Sequence, residues 1–162
     1  MDAESLMTPE IKAMLGQETY FPGKEVVDKS SIRRYALAIA DLNPLYLDEE
    51  YARNSEYGGI IAPLTFIFDV SHDIFAEVGD DGRDLSRVAI PGMSAVRGGN
   101  EYQFLEPVRP GDVVNRRREI TEVYEKEGKK AGKILFITYE TTYTNQNGSV
   151  LGICRETMMF LK

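Results

Sequence analysis

Two stretches in the first half of the chain place apolar residues at helical spacing. The first stripe consists of Ile32, Tyr35, Ala36, Ile39 and Ala40, and the second of Phe66, Ile67, Val70, Ile74 and Val78. The first predicts an amphipathic helix that Asp28 caps and that ends near Asp41, because Pro44 disfavours helical geometry at the residue before it. The second keeps its period over about 15 residues and predicts one long buried helix, closed by the segment 79–82.

Shorter helical signals flank these stretches. Thr8 and Pro9 have the residue types of a helix cap and a first helical position, and Gly16 is expected to end that short helix. Asp48 is expected to start another short helical turn, and the turn at 57–59 leads into the apolar pair Ile60-Ile61.

The second half of the chain has the composition of β-strands. After an extended region at 21–27, the predicted strands are 101–108, 113–127, 133–143 and 150–161, with a turn at 128–132. Asn147-Gly148 is a strong hairpin signal between the last two strands. The chain from 1 to 162 is therefore predicted to be a single α+β domain, in which an antiparallel sheet wraps around a long central helix. The hot-dog fold has this layout, and dimers are expected because one subunit's sheet cannot seal that helix from water.

Composition narrows the class of protein. The 162 residues are 43% hydrophobic and 28% charged, with a net charge of −7 that argues against general binding to nucleic acid. The N-terminus lacks a secretory signal, and the apolar stretch 60–70 is too short for a membrane span, so we expect a cytoplasmic protein. The single cysteine, Cys154, can form no internal disulfide, and no metal or cofactor motif is present. The basic run Arg116-Arg117-Arg118 is either a solvated or inter-subunit strand face, or a contact for the phosphates of a nucleotide-bearing carrier.

The segment 41–48 carries the candidate chemistry. It holds an acid, an amide and a phenol within six residues, namely Asp41, Asn43 and Tyr46, in a break between two helices. Local capping and turn formation would explain the acid and the amide equally well, because both residue types bond to nearby backbone.

Three blocks of sequence resemble the MaoC-like (R)-specific hydratases and dehydratases. The first matches the family motif Asp-x-Asn-Pro-x-His at Asp41, Asn43 and Pro44, followed by Asp48 and Ala52. The others are Gly58-Gly59-Ile60-Ile61-Ala62-Pro63 and Glu106-Pro107-Val108-Arg109-Pro110-Gly111-Asp112. The blocks occur in the family's order, and the resemblance is strongest to the FAS1-like dehydratase branch, whose Ala-Pro-Pro-Thr-Phe segment reads Ala62-Pro63-Leu64-Thr65-Phe66 here.

The resemblance implies reversible addition of water to a trans-2-enoyl thioester of coenzyme A or acyl-carrier protein, without a cofactor. It assigns the water to Asp41 and the residue at position 46, and Asn43 of the same motif is a further candidate catalytic residue. The thioester carbonyl is expected at the amides around Leu64, Thr65 and Phe66, next to Pro63, because helix N-termini offer free N–H donors. Asp41 and these amides are expected to face a shared tunnel for the acyl tail. The overhanging segment 79–100, which contains Gly98 and Gly99, is expected to bind substrate and control the depth of the pocket.

One departure limits this assignment. Tyr46 stands where the family has its catalytic histidine, and an ordinary tyrosine is ionised to only about one part in a thousand at pH 7. The only histidine, His72, lies about 11 Å along the predicted helix from its start, too far to take over this role.

Two hypotheses follow. The chain is either one half of a hetero-oligomeric hydro-lyase, paired with a hot-dog subunit that carries the histidine, or a stand-alone homodimer. The homodimer would bind acyl thioesters or act as a hydratase with an altered Asp/Tyr site. A thioesterase using Asp69 or Asp73 is a weaker alternative, because the surrounding motifs point elsewhere.

Overall fold

One antiparallel sheet organises the structure, a computed structural model that describes residues 5–73, 77–82, 84–128 and 132–162. Its five strands are β1 Glu18–Phe21, β2 Ser94–Phe104, β3 Asn115–Gly128, β4 Gly132–Thr144 and β5 Val150–Leu161. The spatial order is β1-β3-β4-β5-β2, so the short β1 and the long β2 form the two edges. Every neighbouring pair is antiparallel.

Five short helices accompany the sheet: α1 Pro9–Lys12, α2 Lys29–Ala38, α3 Pro44–Leu47, α4 Glu49–Arg53 and α5 Phe66–Val70. The predicted caps are confirmed at Thr8, Asp28 and Asp48, each of which accepts a hydrogen bond from an amide in the first turn of its helix. Asp28 forms a reciprocal capping box with Ser31. None of the helices in the described ranges has the length and apolar character that a membrane span requires.

The core lies on one face of the sheet, in two apolar clusters. One cluster surrounds α5 and joins its Phe66 and Ile67 to Val114, Tyr143 and Leu151. The other joins Ile11 of α1 to the first half of β4, around Leu135 and Ile137, and to the end of β5, at Met158 and Phe160. Gly152 provides room for α5, because a Cβ atom there would lie 3.6 Å from Cδ1 of Ile67 and 3.0 Å from the carbonyl oxygen of Gln103.

The hot-dog architecture is confirmed, but the predicted length of its central helix is wrong. Helix α5 ends at Val70, and Val78 lies instead in an isolated β-bridge with Asp84; Ile74 falls outside the described residues. The reason is a fully buried cation on β3. The buried Arg116 side chain donates from Nε to the carbonyl of Ser71 at 2.9 Å, and it pairs with the carboxylate of Glu77. A buried charge needs such partners, and the break after Val70 brings both within reach of Arg116.

The strand predictions need one further correction. The strand predicted at 101–108 runs from Ser94 to Phe104, straight through Gly98 and Gly99. Edge strands accommodate glycine at bulges, and the β2–β5 register shifts between Arg97 and Gly99. Strand β5 has the predicted bounds, and Asn147-Gly148 lies in a five-residue connection that Asn145 and Ser149 close. Of the predicted turn at 128–132, residues 129–131 fall outside the described residues.

The basic run on β3 is a solvated strand face only at Arg117. Alternation along the strand turns Arg116 and Arg118 into the core, where both are buried, while Arg117 faces outward and pairs with Glu18 at 2.9 Å. Arg118 donates hydrogen bonds from Nη1 to the carbonyl of Ser86 at 3.1 Å and to its hydroxyl at 2.7 Å. These two arginines therefore anchor the segment after α5 to the sheet.

Candidate functional site

The acidic residue of the first block sits at a sharp chain reversal after α2. Ala40 adopts a left-handed conformation with φ 57°, and the Asp41 amide donates back to the carbonyl of Ala36 at 2.9 Å. Non-glycine residues rarely adopt positive φ, and such positions often occur at functional sites. The Asp41 carboxylate then accepts a hydrogen bond from the backbone amide of Asn43 at 3.2 Å. The side-chain oxygen of Asn43 accepts one from the backbone amide of Leu45 at 3.1 Å. The local capping role considered for both side chains is thus present.

Tyr46 follows on α3, half-buried against the cluster around α5. Burial raises the pKa of its phenol, and the nearby Asp41 carboxylate and Tyr57 raise it further. All three effects favour the neutral form. A phenol with a raised pKa is a poor base but can donate a hydrogen bond.

The three sequence blocks converge in space. The Ile61 amide donates to the carbonyl of Leu45 at 3.3 Å, which joins the second block to the first. The Ala62 amide donates to the carbonyl of Val108 at 2.8 Å, and Arg109 donates from Nη1 to the carbonyl of Tyr57 at 2.8 Å. The third block thus holds the turn that carries Tyr57. The sequence did not single out Tyr57 or Arg109 as site residues, although both belong to the matched segments or border them.

The start of α5 provides fewer free amides than expected. The Phe66 amide already donates to the carbonyl of Pro63 at 2.9 Å, so its assignment to a substrate carbonyl is wrong for this structure. The amides of Leu64 and Thr65 donate to no backbone carbonyl within the described ranges. Both side chains are exposed, whereas Pro63 and Phe66 are buried. The Thr65 hydroxyl does not cap α5 but accepts a hydrogen bond from the Tyr35 hydroxyl at 3.0 Å.

Gly98 and Gly99 lie inside β2, and not in an overhanging segment as expected. Gly99 is opposite Thr157, whereas Phe104, which packs with the α5 cluster, is opposite Gly152. Five residues of strand separate these positions, about 17 Å at 3.3–3.4 Å per residue. Phe68 of α5 also contacts Tyr102, which is three residues, or about 10 Å, along β2 from Gly99.

A cavity of about 840 Å³ opens between α2, the segment 20–28 and α5. Its lining includes Tyr35 and Ala38 of α2 and Phe66, Asp69 and Val70 of α5. Asp41, Leu64 and Thr65 do not line it, so this cavity is not the shared tunnel that the sequence predicts. Tyr35, which the sequence indicates only as part of an apolar stripe, contacts both the cavity and Thr65.

Other candidate side chains do not join the site. His72 is exposed and bonds through Nδ1 to the carbonyl of Phe68. Cys154 is buried, and burial together with Glu156 raises the pKa of its thiol to about 11, which leaves it a poor nucleophile. Within the part of the chain that the structure describes, no three His, Cys, Asp or Glu side chains are grouped as metal ligands.

Comparisons with known proteins found relatives of this chain by sequence. A UPF0336 protein of Streptomyces griseus is 35% identical over 109 residues, which cover 65% of this chain and 65% of the relative's own length. A probable enoyl-CoA hydratase alpha subunit of Thermomonospora curvata is 27% identical over 141 residues, which cover 82% of this chain and 44% of that protein. The chain thus spans less than two thirds of either relative.

Solved structures share the fold. The MaoC-like dehydratase of Rhodospirillum rubrum superposes with a TM-score of 0.67 at 21% identity, over 91% of this chain and 92% of that one. The ChsH1–ChsH2 complex of Mycobacterium tuberculosis gives a TM-score of 0.71 at 19% identity, over 93% of this chain and 86% of the other. A sequence profile of the FAS1-like dehydratase domain region matches residues 13–152. The chain therefore belongs to the FAS1-like dehydratase domain family and has the MaoC-like hot-dog fold.

Proposed function

We propose that this domain binds trans-2-enoyl or (R)-3-hydroxyacyl thioesters as the half of a hetero-oligomeric hydratase/dehydratase that lacks the catalytic histidine. One observation carries the proposal. The three motif blocks contact one another, through Ile61 with Leu45 and Ala62 with Val108, yet position 46 holds a phenol whose surroundings raise its pKa.

The missing base has a calculable consequence. Hydration requires a water to lose a proton as it attacks C3, and a positioned acid–base group contributes roughly 10² to 10⁴ in rate. A neutral Tyr46 cannot take that proton, so its replacement of histidine costs about 3–5 kcal/mol of transition-state stabilisation. Asp41, Asn43 and Tyr46 can still hold a water or a substrate hydroxyl through an acceptor and a donor.

The thioester carbonyl is assigned to the Leu64 and Thr65 amides, between the buried residues Pro63 and Phe66. An acceptor oxygen there would satisfy N–H groups that the backbone leaves unused. Gly98 and Gly99 are left out of this site, because they lie about 10 Å or more along β2 from Tyr102, which contacts α5. The carrier is coenzyme A or acyl-carrier protein, since both present the same thioester.

A second hot-dog subunit is the proposed partner. Ten of the eleven residues of β2 are exposed, and one edge of this strand has no neighbouring strand in the sheet. A long exposed strand edge readily associates with another chain. The relative from Thermomonospora curvata is named as an alpha subunit, and one structural neighbour is a two-protein complex. Both names support a hetero-oligomer, while a homo-oligomer remains the alternative.

The test is hydration of crotonyl-CoA by the chain alone, by a hot-dog partner with the intact Asp-to-His motif alone, and by the mixture. We expect turnover from the mixture to exceed the sum of the separate rates at least tenfold. Hydration by this chain alone at the rate of an ordinary hydratase would overturn the half-site proposal.

The alternative, a homodimer with an altered Asp/Tyr site, is favoured only by the protonated phenol beside Asp41. Tyr46→Phe separates the two. In the altered-site mechanism the variant loses most of any activity of the isolated chain, whereas in the half-site mechanism the mixed complex keeps its turnover.

A further inference from the structure

We infer that Tyr35 is a specificity-determining residue, which separates the start of α5 from the 840 Å³ cavity and so limits the length of the bound acyl chain. The inference rests on the proposed function, because it takes the thioester to lie at Leu64 and Thr65. It concerns which acyl chains fit, and not whether the domain binds thioesters.

The contacts of Tyr35 define this boundary. Its hydroxyl donates to the Thr65 hydroxyl at 3.0 Å, and its ring meets Phe66 edge-on, with centroids 5.2 Å apart and an interplanar angle of 73°. Tyr35 and Phe66 both line the cavity, whereas Leu64 and Thr65 do not. Tyr35 thus contacts both Thr65 and the cavity, and it borders the direct path of an acyl chain from Thr65 into the cavity.

The cavity wall next to Tyr35 is apolar. Val27 and Phe66 belong to the same core cluster, with Val70 and Tyr35 packed against it, and all four line the cavity. Charged groups also line the cavity, but Lys24 pairs with Asp73, and Glu77 pairs with the buried Arg116. The apolar wall suits a hydrocarbon tail, whereas Glu25, Arg34 and Asp69 are among the polar residues elsewhere in the lining.

The expected effect can be estimated from burial. Each methylene that leaves water for an apolar site improves affinity by about fourfold. A short chain such as crotonyl does not reach past Tyr35, and its affinity should not depend on that residue. A decenoyl chain has six further methylenes, so removal of the barrier should favour it selectively.

The experiment measures Kd for crotonyl-CoA and trans-2-decenoyl-CoA by calorimetry on the full chain. Tyr35→Ala should raise the preference for decenoyl-CoA at least tenfold while the Kd of crotonyl-CoA changes less than threefold. Tyr35→Leu, which keeps an apolar side chain in α2, serves as a second variant, with a smaller shift in the same direction. Tyr20→Ala is the matched control, since Tyr20 lines the same cavity but is 61% exposed and should leave the preference unchanged.

Two failures are distinguishable. If the unmodified chain binds neither thioester, the proposed function fails and the inference fails with it. If the unmodified chain binds crotonyl-CoA but neither folded variant changes the decenoyl-to-crotonyl ratio, Tyr35 is not a barrier and only the inference is overturned.

Discussion

Tyr46 and Cys154 show how burial controls the reactivity of single residues in this protein. Tyr46 is half-buried beside an acid, and Cys154 lies in β5 beside the buried carboxylate of Glu156. Burial in each case raises the pKa by penalising the anion, and a neighbouring negative charge adds to the effect. The phenol is suited to donate a hydrogen bond, and the thiol is suited to packing.

The thiol gives a test at the residue scale. With a pKa of about 11, Cys154 is thiolate to only about one part in a thousand at pH 8, so alkylation by iodoacetamide should be slower than that of an ordinary exposed thiol by on the order of a hundredfold. The rate should keep rising with pH up to about 11, because the folded-state thiolate fraction rises until then. Mass spectrometry of the labelled protein measures the alkylation rate, with the urea-unfolded chain as the control. Rapid labelling of the folded chain at pH 8 would contradict the buried placement.

At the scale of elements, the connection between β1 and α2 depends on a close approach to the chain that enters β3. The Gly23 amide donates to the Asn115 side chain at 3.0 Å, and a Cβ atom at Gly23 would lie 2.5 Å from the carbonyl oxygen of Val114. This distance is shorter than an ordinary contact between nonbonded atoms, and the neighbouring atom belongs to the backbone, which cannot move aside as a flexible side chain could. This packing fixes the segment 20–28, which forms one wall of the cavity.

Gly23→Ala should therefore lower the free energy of unfolding by about 1–3 kcal/mol, the usual cost of forcing extra volume into a packed site. Gly59→Ala is the matched control, because no atom lies within 4 Å of its added Cβ, and its effect should stay within about 0.5 kcal/mol. Urea denaturation measures both variants. Equal stabilities would show that the 22–24 segment is not held as closely as described.

At the scale of the whole molecule, β2 presents a long edge together with aromatic side chains. Tyr102 is 45% exposed, and its ring lies 4.9 Å from Phe68 and 6.3 Å from Phe104. The opposite edge strand, β1, has only four residues. An exposed edge and an exposed aromatic group at one border of the sheet favour association there.

We accordingly expect the chain to form dimers or larger species at micromolar concentration, alone or with its partner. Tyr102→Lys should shift sedimentation velocity profiles towards the monomer, because it replaces an aromatic contact with a charge. Glu101→Lys changes the neighbouring side chain, which points to the other face of the sheet, and should have a smaller effect. If Tyr102→Lys leaves the oligomeric state unchanged, the interface lies elsewhere.

The sequence by itself determined the fold class, the helix caps and the bounds of β5, because these depend on local periodicity and on residues that bond to their own neighbours. It also determined the motif at 41–48 and the departure at Tyr46, since both are matters of residue identity. Tyr46 could be judged a poor base from its ordinary pKa alone.

Only the tertiary structure decided the length of α5, the burial of Arg116 and Arg118, and the contacts of Tyr35 and Arg109. Helical spacing at 66–78 favoured a long helix, but a buried guanidinium on a strand nearly forty residues later required the carbonyl and carboxylate that interrupt it. Local patterns carry no information about such distant partners. The cost of leaving a buried charge unpaired exceeds the gain from a few more helical residues, so the long-range contact prevails.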